Sequence, residues 1–407
     1  MVVERIDLVA RARRPSLSAL TGVRFFAAMH VVLFHYLRWY LLGAPWLVSN
    51  VIHAGYVGVS LFFVLSGFIL TYTYLDIDGG PALDRRSFWV ARLARIYPLY
   101  LLSLLLALPF AIHPQGLHSL LTAAGAAGLQ LLPTVIMIQA WSPTTAELIN
   151  SPAWSLSVEA FFYLMFPFLA ISLVRLPARR LVLAVVVLWA ASLAGPTIYA
   201  ILNPDRAGLG FPEPGQAGIW IQALKYSPLL RLPEFLLGVV TATIYLRIRG
   251  TRTVRGAVLS AISLLGIVAV LAASSVLPFP YLHNGLLAPL FASLILGLAL
   301  GGGAIARFLG TRTLVLLGEA SYGIYLLQTP LWNLAGHYGK RFTGVDPYLG
   351  HQPLFFLVYL PVLIGGSVFA LYWVEKPARR WIKQLLLART RSAVASRLRM
   401  SAPASNR

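Results

Sequence analysis

The chain contains no cysteine. That excludes thiol catalysis, acyl-thioester intermediates on the protein, disulfides and Cys-based metal sites. Charge is scarce as well: 11% of the 407 residues are charged, 58% are hydrophobic, and the mean hydropathy is +0.75. A soluble domain carries about 25% charged residues because its surface faces water. A chain this poor in charge needs lipid as its solvent. The expected organisation is a basic head over 1–16, a membrane domain over 17–380 and a basic tail over 381–407. Residues 1–16, with Glu4 and Asp7 among the arginines, lack the apolar core of a cleavable signal peptide. The first span is therefore expected to act as its own uncleaved signal.

Apolar runs long enough to cross about 30 Å of hydrocarbon lie near 19–43, 55–75, 94–112, 157–175, 181–201, 229–246, 257–277, 285–306, 314–333 and 353–374. An eleventh run, 119–140, is rich in Ala and Gly and contains Pro133. The net charge of +20 could suggest nucleic acid, but the basic residues stand in short clusters between apolar runs, the pattern of topology signals. With a cytoplasmic N-terminus and ten crossings, 27 of the 33 basic residues face inward. If 119–140 also crossed, 18 of those would be external. The expected fold is an all-α integral membrane protein of about ten transmembrane helices, both termini cytoplasmic, with 119–140 partial or re-entrant. The long loops 202–227 and 334–352 then lie outside.

Ionisable residues inside spans are costly and point to function. The first span carries Arg24, His30 and His35. Arg24 and His35 are three helical turns apart on one face, about 16 Å along the axis, and His30 points elsewhere. Snorkelling would account for Arg24 and a helix–helix hydrogen bond for His35. In GYVGVSLFFVLSGFIL, the glycines with Ser60 and Ser66 permit close helix approach. Arg92 and Arg95 stand one turn apart at the cytoplasmic mouth of the third span. They can grip phosphate oxygens or simply anchor topology. Glu159, in SPAWSLSVEAFFY, either completes a capping box with Ser155 or Ser157 or orients a histidine or an acceptor hydroxyl. Glu234 and Glu319 are further acids at span ends, with Arg231 or a loop arginine as partners.

In order and register, LSALTGVRFFAAMHVVLFH, GYVGVSLFFVLSGFIL, RRSFWVARLARIYPLY, WSLSVEAFFY, LGEASYGIYLLQTP and YWVEKPARR resemble acyltransferase family 3. That family of membrane proteins includes O-acetylases of bacterial surface polysaccharides and tailoring acylases of macrolides. The resemblance covers Leu17 to Arg380 and implies a ten-span core. It maps the family's Arg-x10-His pair to Arg24 and His35, and its RxxR motif to Arg92 and Arg95. Two positions depart from the common pattern. Ala160 and Phe161 follow Glu159 where a second acid is frequent, and Gln328 stands where many relatives carry His. No fused external hydrolase-like domain is expected.

Acyl transfer from a thioester to a hydroxyl needs a base for the proton and stabilisation of the oxyanion. Histidine suits the base role, which falls to His35, with Glu159 as its catalytic partner on the external side. The expected donor is cytoplasmic acyl-CoA, most simply acetyl-CoA, as a co-substrate with no bound cofactor or metal. Arg92 and Arg95 would hold its phosphates, Arg24 would position it further in, and Ser66 and Gly67 would line the acyl path. The expected acceptor is a carbohydrate, glycolipid or macrolide, in a bacterial inner membrane with lipid as the other partner and no nucleic acid. Direct transfer is the simpler route, and a serine intermediate remains open. The alternative is a proton-coupled transporter or flippase that uses the same buried His and Glu as a relay.

Overall fold

The computed structural model describes residues 17–41, 43–76, 83–111, 131–212, 216–249, 253–301, 303–343, 353–382 and 384–385. The expected head, most of the tail and most of the 119–140 run lie outside them. The described residues form an all-α protein without strands. Its long helices are α1 (Ser18–Tyr36), α2 (Gly58–Tyr74), α3 (Arg85–Ala111), α4 (Trp154–Val174), α5 (Ala178–Leu202), α6 (Pro228–Ile248), α7 (Thr253–Ala272), α8 (Ala288–Leu300), α9 (Arg312–Thr343) and α10 (Pro353–Ala370).

Among the described residues, nine helices are long and apolar enough to cross a membrane. They coincide with nine of the ten expected spans. The tenth, 314–333, falls on α9, which at 32 residues has ample length. It carries Glu319, Ser321 and Gln328, the last two fully buried, so its apolar character is diluted by groups that face protein. α9 also continues to Thr343, into the expected 334–352 loop. The 202–227 loop likewise contains a helix, Ile219–Tyr226, whose first turn is capped by Asp205 through the N–H groups of Trp220 and Ile221. Beyond α10 the chain enters a π-helical turn, Leu371–Glu375. Such a turn inserts a residue and re-aims side chains; here Glu375 is directed into the interior, 4% exposed.

Two helix pairs pack most extensively, α2 with α6 and α1 with α9. Glycine explains both. A Cβ at Gly67 would stand 2.0 Å from the Phe235 carbonyl oxygen, and one at Gly238 would stand 1.9 Å from that of Val64. A Cβ at Gly318 of α9 would meet the Thr21 carbonyl oxygen of α1 at 1.9 Å. Without a hydrophobic drive between helices in lipid, such backbone approach is a main source of association. At the α2–α6 seam Arg231 and Glu234 pair at 3.3 Å, wholly buried. The same guanidinium donates to Ser60 Oγ at 2.9 Å, to Asn284 Oδ1 at 2.7 Å and to the His283 carbonyl. The expected Glu234–Arg231 pairing is thus present. Glu319 instead pairs with Lys376, at 3.0 Å.

Gly67→Ala forces α2 and α6 apart. Size-exclusion chromatography of detergent-solubilised protein should lose its monodisperse peak, whereas Gly365→Ala, with open space around its position, should keep it.

Candidate functional site

Two cavities lie along α1. The first, about 870 Å³, is lined by Arg24 of α1, Ser66 of α2, Arg92 and Arg95 of α3, Glu159 and Tyr163 of α4, and Tyr322 of α9, over an apolar floor that includes Phe62, Phe63 and Leu156. Five of the seven expected site residues therefore line one space. α3 reaches it because Asp84 begins the helix: Ser87 N–H donates to its carboxylate at 3.2 Å, and Arg92 and Arg95 follow in the next two turns.

In that cavity Arg92 Nη2 donates to the Tyr74 hydroxyl at 2.9 Å, while its buried Nε has no hydrogen-bond partner. Arg95 forms an ion pair with Glu375. Arg379, one turn beyond Glu375, is within electrostatic reach of both Arg92 and Arg95. Three guanidiniums of the lining face one lining carboxylate, which gives a basic chamber suited to an anion. Glu159 Oε1 accepts from Ser66 Oγ at 3.1 Å and from Tyr163 hydroxyl at 2.5 Å. The capping-box reading of Glu159 does not hold. α4 begins at Trp154 with no side-chain cap, Ser155 Oγ donates to the Pro152 carbonyl, and Ser157 Oγ accepts from Ala140 N–H. Gly67, expected beside Ser66 on the acyl path, faces Phe235 of α6.

The second cavity, about 1200 Å³, is lined by His35, Arg38, Glu147, Lys225 and His283 among Phe34, Tyr56, Trp154 and Phe211. His35 and Glu159, expected together, line different cavities. The partner of His35 is Gln328, whose Oε1 lies 2.9 Å from Nδ1. Gln328 Nε2 donates to the Tyr325 carbonyl at 2.7 Å, so its oxygen is the end offered to the imidazole. Nδ1 must then carry the proton and donate, which leaves Nε2 with its lone pair. The Gln at position 328 was legible only as a departure; its role in fixing a tautomer needed the α1–α9 contact. His30 bonds the Val51 carbonyl at 2.6 Å, away from both cavities.

Sequence reasoning missed Glu375 and Arg379. The signal was present in VEKPARR, where Glu375 and Arg379 are four residues apart on a helix, but the π turn that aims Glu375 inward has no sequence signature. Removing one partner of a buried pair costs about 3–5 kcal/mol because a charge is left unpaired. Glu375→Ala should therefore lower the thermal unfolding temperature more than the Arg95→Ala, Glu375→Ala double variant does, as read by intrinsic fluorescence.

Known proteins resemble this chain over most of its length. The family model described as "Acyltransferase domain" matches residues 17–373. Acyltransferase MdmB of Streptomyces mycarofaciens is 32% identical over 349 residues, covering 81% of this chain and 81% of that protein. The O-acetyltransferase OatA of Staphylococcus aureus is 24% identical over 337 residues, covering 77% of this chain but 50% of its own length. No solved structure matches. With a family model spanning nearly the whole membrane domain and a basic chamber backed by a histidine cavity on the same helix, the chain belongs to the acyltransferase 3 family and is a multi-pass membrane acyltransferase.

Proposed function

We propose that this acyltransferase moves an acetyl or other short acyl group from acyl-CoA to a hydroxyl of a sugar-containing acceptor: a carbohydrate, a glycolipid or a macrolide. The membrane is a bacterial inner membrane, and both chain termini are cytoplasmic. The observation that carries this reading is the pair of cavities on α1, basic at the Arg24 end and polar at the His35 end, which share the side chains of Val59 and Tyr325. Such an arrangement suits two substrates that arrive from opposite faces and react in between.

The donor enters the basic chamber from the cytoplasm. Its phosphates meet Arg92, Arg95 and Arg379; Arg24 lies deeper, and the apolar floor takes the uncharged arm. Binding frees Arg95 from Glu375, exchanging one anion for another. Glu159, held by Ser66 and Tyr163, keeps Arg24 oriented across the chamber, with which it interacts electrostatically. This assigns Glu159 to the donor side rather than to His35.

The acceptor occupies the second cavity. His35 Nε2 takes the proton of the acceptor hydroxyl, and Gln328 holds Nδ1–H so that Nε2 is the free base. The oxygen attacks the thioester carbonyl, a new ester C–O bond forms, and the C–S bond breaks. The thiolate leaves on the donor side and recovers a proton. Positioning contributes much of the acceleration when reacting atoms are held near 3–3.5 Å, and a well-placed base adds about 10²–10⁴-fold. Support comes from the family match and from MdmB and OatA, which are named for acyl and O-acetyl transfer.

The test is incubation of purified protein with radiolabelled acetyl-CoA and a panel of glycans, glycolipids and macrolides. Label should appear in a hydroxyl-bearing acceptor and fall by at least about 10²-fold in His35→Ala with the elution profile unchanged. Normal turnover by folded His35→Ala would reject the base assignment. CoA-independent movement of a glycan across vesicles, with no ester formed, would favour a transporter instead. Gln328→Leu, which leaves Nδ1–H without its acceptor, should forfeit part of the base's contribution of about 10²–10⁴-fold, lowering kcat at little cost in KM.

A further inference from the structure

Two side chains stand between the cavities. Among the described residues, Val59 and Tyr325 alone line both cavities. Both are nearly buried, at 5% and 6% exposure. Two contacts hold the Tyr325 side chain. Its hydroxyl donates to the Pro152 carbonyl at 3.0 Å, and its edge meets Phe62 with centroids 6.0 Å apart. Its backbone carbonyl accepts from Gln328. Phe62 belongs to the donor chamber and Pro152 to the acceptor cavity, so the ring is braced from both rooms.

Resting on the donor reading above, we infer that Tyr325 with Val59 forms the end wall of the donor chamber and sets the length of acyl chain the enzyme accepts. The reasoning is geometric. The thioester carbonyl must come within about 3.5 Å of the acceptor hydroxyl, hence to the junction of the cavities. The acyl tail continues beyond the carbonyl, away from the CoA arm, and there it meets the wall. A two-carbon acyl group ends at the wall; a six-carbon chain collides with a braced ring. A filled pocket discriminates by about 10–200-fold per surplus or missing methylene.

The experiment measures binding, so it does not depend on knowing the acceptor. Isothermal titration of the full chain in lipid nanodiscs compares acetyl-, butyryl- and hexanoyl-CoA. Wild type should bind acetyl-CoA at least tenfold more tightly than hexanoyl-CoA. Tyr325→Ala should reduce that ratio at least tenfold, Val59→Ala should reduce it in the same direction, and Tyr325→Phe, which keeps the ring, should preserve it. Wild type that binds hexanoyl-CoA as tightly as acetyl-CoA, or Tyr325→Ala and Val59→Ala that both keep the wild-type ranking, would overturn the wall while leaving the donor reading intact. Wild type that binds none of the three thioesters would overturn the donor reading, and the wall with it.

Discussion

At Gly318 the backbone of α9 lies against the Thr21 carbonyl of α1 with no room for a side chain between them. The remainder of the site hangs on that approach. α1 carries Arg24 and His35 at its two ends, and α9 carries Tyr322, Tyr325 and Gln328 along the facing side. Only with the two helices this close does Gln328 reach His35 and does Tyr325 stand between the cavities. A larger residue at 318 would leave every one of these side chains in place on its own helix and separate the two sets.

Lipid imposes the second constraint. An ionisable group facing hydrocarbon is expensive, and two ion pairs of the described helices are turned inward: Arg231 with Glu234 and Arg95 with Glu375. The Arg231 cluster is fully enclosed and ties α6 to Ser60 of α2 and to Asn284. The Arg95 pair borders an open chamber and has a cation neighbour in Arg92. The first arrangement is a joint. The second lines a cavity, and its anion is supplied by the protein itself.

Much of this was legible in the sequence. The spans followed from apolar runs of membrane length, and α9 was found even though its polar groups thin its hydrophobic signal. Arg24, Ser66, Arg92, Arg95 and Glu159 were singled out separately and come together in one cavity. What sequence could not give was adjacency between distant helices. Glu159 and His35 are both half-buried ionisable groups within spans, and nothing in their spacing says that one faces a basic chamber and the other an amide 293 positions away. Gly67 sits next to Ser66 in sequence, but successive helical residues point about 100° apart, so one lines the cavity and its neighbour packs on α6. The inward turn of Glu375 comes from a π insertion, which leaves the hydrophobic pattern almost unchanged.

The central claim is that the two cavities hold two different substrates on either side of Tyr325. An electron cryomicroscopy map of the protein with a non-hydrolysable acyl-CoA thioether tests this most directly. The account predicts phosphate density against Arg92, Arg95 and Arg379, with the thioether ending at Tyr325 and the His35 cavity left open. Nucleotide density in the cavity lined by His35, Glu147 and Lys225 would contradict it.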